Sequence, residues 1–381
     1  METEDPIPHR NNSLAYGFKS RHGNAGSDPG SSESMEKRFG VLLIGCGHIG
    51  EEHLADIYYR ENIRIVGAVD TRVERAALFA RKYGAEGYGT DYRPFLEKKD
   101  TDIVIIATYA DSHLAILQDC LAAGKHVLCE KPIAASLEDG LRFVRLVKSG
   151  RSRVLVAHIL RHNRSYQKLA ELIQGGVVGK LRLMRMVQNH HAIDWPRYKR
   201  LLQDCSPVVD CGVHYLDVMQ WFTGARIAEV RGMSCRLDPD APRDNYGIIE
   251  ARLTDGCVGV YEAGWSRNLA AENRKEFVGD RGRLVLTLRE NRPQNREEGD
   301  LIELYDSAAG EYRVFNIRSK YKDMYAQLSC LISMIEEGTP ASPTIDEVYT
   351  AFSAAMLAER AMESHTALYT LEPSQRRIRN A

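Results

Sequence analysis

The chain has 381 residues, 44% hydrophobic and 27% charged, enough apolar surface for two packed domains and too much for a disordered polymer. Its 51 basic residues balance 52 acidic ones, so composition gives no electrostatic case for nucleic acid or a membrane and favours a small ligand of mixed polarity. No two of the eight cysteines have zinc-knuckle or redox spacing, no apolar run is long enough to span a bilayer, and no secretory signal opens the chain, so the expected compartment is the cytoplasm.

Residues 1–37 are rich in Gly, Ser, Asn, Pro and charge, show no apolar periodicity, and read as a flexible tail. From Gly40 to about His158, strand and helix patterns alternate, as in a parallel sheet covered on both faces. The predicted strands are Val41–Ile44, Ile63–Val69, Ile103–Ala107, Val127–Cys129 and Val154–Ala157, short and almost wholly apolar. Thr71 with Glu74 and Ser136 with Asp139 read as helix N-caps, and Gly124 and Gly150 as helix stops. The fold class is therefore α/β, with a doubly wound Rossmann domain over residues 38–158. Over residues 159–381 the pattern changes to a second α/β domain whose sheet is mostly antiparallel. Hairpins are expected at Asp255-Gly256 and between Gly279 and Gly282. Two late helices, Met324–Glu337 and Asp346–Glu363, are free to pack back on either domain.

Gly45-Cys46-Gly47-His48-Ile49-Gly50 follows the first strand directly and opens a helix, the context a dinucleotide fingerprint requires. Gly45 permits the tight turn, Gly47 lets the backbone approach a pyrophosphate, and Gly50 allows close helix packing. The helix N-terminus offers N–H donors to the anion. Asp70 ends the second strand, where its carboxylate can take the adenosine ribose diol; a plain turn residue is the alternative. Asp70 would repel a 2′-phosphate and so favours NAD, while neighbouring Arg72 keeps NADP open.

Glu130-Lys131-Pro132 stands at a strand end on the ligand-binding edge of the sheet, where an ammonium stabilises a developing alkoxide; a solvated surface lysine fits the same spacing. Asp210 and His214 lie four apart on a helix predicted to run to about Phe222, so they share a face. An imidazole there suits proton exchange at neutral pH, with Asp210 as its orienting partner; a surface Asp–His pair without function is the alternative. His190, His191, Asp194 and Trp195 form a polar and aromatic cluster suited to sugar hydroxyls and a pyranose face. The His-His-Asp run lacks a third ligand at defined spacing, and no metal is assigned. Cys205 and Cys211 read as packing residues.

Taken in order, GCGHIG at Gly45–Gly50, Asp70, ATYADSH with Thr108 and His113, EKP at Glu130–Pro132, GGVVGKL at Gly175–Leu181 and DCGVHYLD at Asp210–Asp217 resemble the Gfo/Idh/MocA family of glucose-fructose oxidoreductases and inositol dehydrogenases. The resemblance spans nearly all of the chain after the tail. It implies a Rossmann domain followed by an α/β domain with a large open sheet, and a homo-oligomer, dimer or tetramer. It implies that Lys131, Asp210 and His214 are catalytic and contact substrate, with His214 the acid/base and Asp210 its partner. It also puts Thr108, His113 and Glu130 at the nicotinamide end of the cofactor beside Lys131, with His48, Ile49 and the three glycines around the rest. Asp217 also fits the motif, as a substrate ligand or, the favoured reading, as a helix-stabilising carboxylate. Arg161 and Tyr166, with His162 and Asn163, follow the strand where the family often places substrate contacts, although a helix start reads equally well there; His191 completes the expected substrate set.

The activity implied is NAD(P)-dependent hydride transfer at a secondary hydroxyl of a sugar, glycoside or cyclitol. An NAD-using glycosidase with transient oxidation and a non-enzymatic dinucleotide sensor are the alternatives.

Overall fold

A computed structural model describes residues 38–289, residues 299–364 and a short strand at 368–369; the tail expected at residues 1–37 lies outside the described residues. The first half runs β1 (Phe39–Ile44), α1 (His48–Ile57), β2 (Ile63–Val69), α2 (Val73–Tyr83), β3 (Tyr88–Gly89), α3 (Arg93–Leu96), β4 (Ile103–Ile106), α4 (Ala110–Ala122), β5 (His126–Cys129), α5 (Leu137–Ser149) and β6 (Val154–Val156). Its strands form a six-stranded sheet in the order β3-β2-β1-β4-β5-β6, every neighbouring pair parallel. Strand order reverses beside β1, and ligands of open α/β sheets bind in the crevice at that switch point, beyond the carboxyl ends of the strands.

The apolar runs are explained by burial on both faces. Leu42 and Ile44 of β1 enter one core cluster, and Val41 and Leu43 enter the other. Ser136 caps α5 as the spacing predicts, its Oγ accepting from Asp139 N at 3.1 Å. Thr71 does not cap α2. The cap position is Arg72, and its N–H is taken at 2.9 Å by the Asp70 carboxylate, which already stands at the strand end. The two-residue edge strand β3 was not predicted, being too short to show a period.

The second half begins with a 3-10 turn (Ile159–His162) and continues α6 (Arg164–Gln174), β7 (Leu181–His191), α7 (Trp195–Asp204), α8 (Pro207–Asp210), α9 (Gly212–Thr223), β8 (Ile227–Cys235), β9 (Tyr246–Leu253), β10 (Val258–Ser266), β11 (Arg274–Gly279), β12 (Gly282–Thr287), β13 (Asp300–Asp306), β14 (Glu311–Ile317), α10 (Met324–Glu336), α11 (Ile345–Ser364) and β15 (Leu368–Tyr369). Nine strands form one sheet in the order β14-β13-β12-β11-β7-β10-β9-β8-β15, antiparallel throughout except for β7 beside β10. Helices α8, α9 and α11 pack on the sheet. Met233 of β8 and Tyr312 and Val314 of β14 remain well exposed.

The late helices tie the halves together. Helix α10 lies on α1 and sends Leu328, Leu331 and Ile332 into the cluster that holds Val41 and Leu43. Helix α11 touches α5, α9 and β8, and its Phe352 ring sits where a side chain on Gly140 of α5 would stand, 2.3 Å from the position of an added Cβ. Gly140→Ala should therefore overpack this junction and lower unfolding free energy by about 1–3 kcal/mol. Denaturant melts of the two proteins check it; an unchanged midpoint would mean that the α5–α11 contact yields without cost.

Candidate active site

At the carboxyl edge of the first sheet, the glycine loop has three distinct geometries. Gly45 takes a φ of +102°, and an added Cβ would stand 2.4 Å from Ala107 O. At Gly50 a Cβ would stand 2.1 Å from Gly45 O, so the start of α1 lies directly against the turn. Above Gly47 a Cβ would meet nothing within 4 Å, so the loop presents open backbone there, and no side chain caps α1. A large anion could be held in that cradle by main-chain N–H groups. Asp70 closes it from one side: Oδ2 accepts from Cys46 N at 3.0 Å, and the Arg72 guanidinium is 3.8 Å from Oδ1. His48 is exposed at the mouth, and Ile49 is half-buried against the core.

The segment after β5 is fixed by two buried histidines. His53 of α1 meets Glu130 Oε1 at 2.8 Å, while Glu130 Oε2 accepts from Lys131 N at 3.3 Å. His113 of α4 stands between two backbone carbonyls, with Nδ1 at 3.0 Å from Pro132 O and Nε2 at 3.1 Å from Thr108 O, and its neutral ring donates to one of them. Thr108 Oγ1 pairs with Ser112 Oγ at 2.7 Å. Glu130 and His113 are thus buried braces of the loop that carries Lys131, with their polar atoms engaged inside the protein. His53 escaped the sequence reading, although it shares the buried face of α1 with Gly50, Leu54 and Ile57 at helical spacing.

Lys131 Nζ reaches across to the second half and donates at 2.8 Å both to Asp210 Oδ1 and to Asp210 O. This corrects two expectations. Asp210 and His214 do not share one helix, because α8 ends at Asp210 and α9 starts at Gly212. Nor is Asp210 the partner of His214: its carboxylate is drawn to the opposite charge of the half-buried ammonium. His214 Nδ1 is buried with no hydrogen-bond partner among the described residues. Its neighbour is instead His158, just beyond β6, with ring centroids 5.7 Å apart and planes at 86°. His158 was also missed; the signal was a histidine ending the apolar run Val154–Ala157 at the ligand-binding edge.

Of three expected substrate contacts, Arg161 and Tyr166 are taken up inside the protein and His191 is exposed. Arg161 is buried, with two 2.8 Å bonds to Asp217 and a 3.2 Å pair to Glu347, so its guanidinium is consumed by an internal ion-pair chain. Asp217 is accordingly a structural carboxylate. Tyr166 is fully buried in the main core, which its large ring fills. His191 is exposed and bonds Leu269 O at 3.0 Å. Asp194 caps α7, and Trp195 is buried, its Nε1 donating to Asp240 at 2.9 Å and its ring covered by Arg267 at 4.8 Å, which leaves it no free face for a sugar. His190 alone of that cluster is near the site: its Nδ1 is 3.1 Å from Tyr198 Oη, and Asp210 lies within electrostatic reach of its ring.

Residues 39–158 match the family described as "Oxidoreductase family, NAD-binding Rossmann fold", and residues 166–285 match the "GFO/IDH/MocA C-terminal domain". The chain is 23% identical over 330 residues to a myo-inositol 2-dehydrogenase of Thermotoga maritima, covering 85% of this chain and 96% of that one. It is 25% identical over 335 residues to an inositol 2-dehydrogenase of Acidothermus cellulolyticus, covering 86% and 94%. Among solved structures, the fold is shared with a scyllo-inositol dehydrogenase of Lactobacillus casei, with a TM-score of 0.73, 19% identity, and 88% and 99% of the two chains covered. It is also shared with a myo-inositol 2-dehydrogenase of Lactobacillus plantarum, with a TM-score of 0.74, 17% identity, and 87% and 99% covered.

Protonation follows from burial and pairing. For Lys131 and Asp210, burial opposes both charges, but their mutual attraction prevails, raising the lysine pKa and lowering that of the carboxyl. The histidines lack such compensation. Burial lowers His113 and His158, drives His162 down to about 4, and with the Lys131 charge holds His214 well below 6.5. The unfolded chain binds these protons near pH 6.5 and the folded chain does not, so stability is complete above that pH and is lost as pH falls toward 4. Unfolding free energies measured in denaturant at pH 7.5 and pH 5 should show a marked loss at the lower pH; equal values would mean that these rings protonate freely in the fold.

Proposed function

The chain belongs to the Gfo/Idh/MocA family of NAD-binding oxidoreductases, and on that premise we propose that it transfers a hydride between nicotinamide and a secondary alcohol of a cyclitol, sugar or glycoside. The observation that carries the reading is the Lys131–Asp210 pair, bridging the two halves at the carboxyl edge of the parallel sheet beside a neutral His214. The names of the relatives over 85–86% of the chain favour a cyclitol such as an inositol.

In this reading NAD, when bound, supplies the carbon that accepts hydride. The open backbone at Gly45–Gly50 takes the pyrophosphate, beside His48 and Ile49, and Thr108 lies toward the nicotinamide end. Asp70 takes the ribose diol and disfavours a 2′-phosphate, while exposed Arg72 keeps some capacity for NADP. Lys131 donates to the reacting oxygen and stabilises its negative charge as the carbon is oxidised. Asp210 anchors Lys131 and keeps it charged. His214 accepts the hydroxyl proton, which requires the neutral imidazole that burial and the Lys131 charge favour. Among the described residues no helix is long and apolar enough to cross a membrane, and all eight cysteines are unpaired, which supports a cytoplasmic setting. The exposed side chains of Met233, Tyr312 and Val314 suit association into a homo-oligomer.

Purified protein given NAD and a panel of inositols, hexoses and glycosides should produce one NADH per ketone formed. His214→Ala should lower kcat by about 10²- to 10⁴-fold with NAD affinity preserved. No reduction of NAD or NADP by any member of the panel, or an unimpaired His214→Ala, would defeat the reading. Asp70→Ser should shift the ratio of kcat/KM for NADP over NAD upward by about tenfold or more, since a repulsive charge is removed; an unaltered ratio would place discrimination elsewhere.

A further inference from the structure

Because Asp210 is committed to Lys131, the imidazole of His214 lacks the carboxylate that ordinarily orients an acid/base histidine. What the fold supplies is His158, 1% exposed, set edge to face with the His214 ring at 5.7 Å. Behind it stands Asp217, whose Oδ2 is 3.6 Å from His158 Nδ1. Asp217 is in turn held by both 2.8 Å bonds from Arg161, and Arg161 is gripped at 3.2 Å by Glu347 of α11 and lies over the Trp221 ring. The series runs from α11 through the 3-10 turn and α9 to the proposed site.

Three ring nitrogens in this cluster are buried without a hydrogen-bond partner among the described residues: both of His158 and Nδ1 of His214. Burying such atoms is unfavourable, and a phenylalanine at position 158 would fill a similar space without burying ring nitrogens. A neutral imidazole carries one N–H and one lone pair. The Asp217 carboxylate beside Nδ1 favours the N–H there, which leaves Nε2 as the lone pair.

We propose that His158 is a positioning residue of the reaction: backed by Asp217, it fixes the plane of the His214 imidazole. The proposal rests on the reading of His214 as the acid/base. The charged and titratable groups facing this pair are Lys131 and Glu130 from the end of β5, Asp217 from α9, Arg161 and His162 from the 3-10 turn, and Lys322 from the approach to α10. Toward His214, burial and the Lys131 and Lys322 charges disfavour a second proton.

The test compares His158→Phe and His158→Gln with wild type and His214→Ala in the full chain, at saturating NAD with the best substrate of the panel. His158→Phe should lose about 10- to 100-fold in kcat, with KM and NAD affinity within about twofold. His158→Gln, which keeps an N–H for Asp217, should recover part of the loss. Independently of turnover, ¹⁵N-histidine spectra of wild type at pH 7.5 should show one fixed Nδ1–H tautomer for His158. If His158→Phe does not fold, His158→Gln and the wild-type spectra decide. An inactive His214→Ala together with an unaltered kcat in His158→Phe, or tautomer averaging of His158 in wild type, would overturn the proposal. An active His214→Ala would instead remove the reading beneath it.

Discussion

The bond from Lys131 Nζ to the Asp210 carboxylate joins the two halves of this protein at the point where chemistry is expected. One partner comes from the end of a parallel strand, the other from the end of a four-residue helix resting on the second sheet. Neither charge is stable half-buried alone; together they hold the ammonium protonated and in place. An electrostatic catalyst must be organised before substrate arrives, because reorientation during reaction would cost the stabilisation it provides. Under the proposed function, the counter-ion and the braces below, Glu130 with His53 and His113 with Pro132, perform that organisation.

A second ion-pair series supports the other side. Arg161, Asp217 and Glu347 connect the 3-10 turn, α9 and α11 with almost no solvent at the Arg161–Asp217 contact. Removing one partner of such a pair costs about 3–5 kcal/mol, since the remaining charge is stranded. That makes these residues poor candidates for substrate binding and good ones for setting the position of α9, on which His214 stands. The buried histidines form the complementary element: they are kept neutral by the same low-polarity surroundings that make the ion pairs strong.

The Rossmann half was readable because its strands are buried on both faces and its turns need particular residues. Val41 and Leu43 serve one core and Leu42 and Ile44 the other, so the run must be apolar throughout. Gly45 and Gly50 have backbone oxygens where a Cβ would be. The antiparallel sheet was legible through its Asp255-Gly256 and Gly279–Gly282 turns, and the late helices through their period. Side-chain roles were less legible. Arg161, Tyr166 and His191 lie in segments with the right polarity, but polarity in a sequence does not distinguish a group aimed at a cleft from one consumed by a buried partner, Asp217 in the case of Arg161.

The amino-acid sequence alone determined the order of elements, the phosphate-sized opening at the glycine loop, and the identities of Lys131, Asp210 and His214 as residues worth weighing, because local sterics and periodicity act over a few neighbouring positions. Tertiary structure decided the pairings. That Asp210 belongs to Lys131, seventy-nine positions away, rather than to His214 four positions on, depends on a helix break at Cys211 and on the segment after β5 meeting the end of α8. That His158 and Asp217 stand behind His214 depends on α9 packing against the 3-10 turn that follows β6. Interactions of this kind are set by distance in space, and spacing along the chain carries no measure of it.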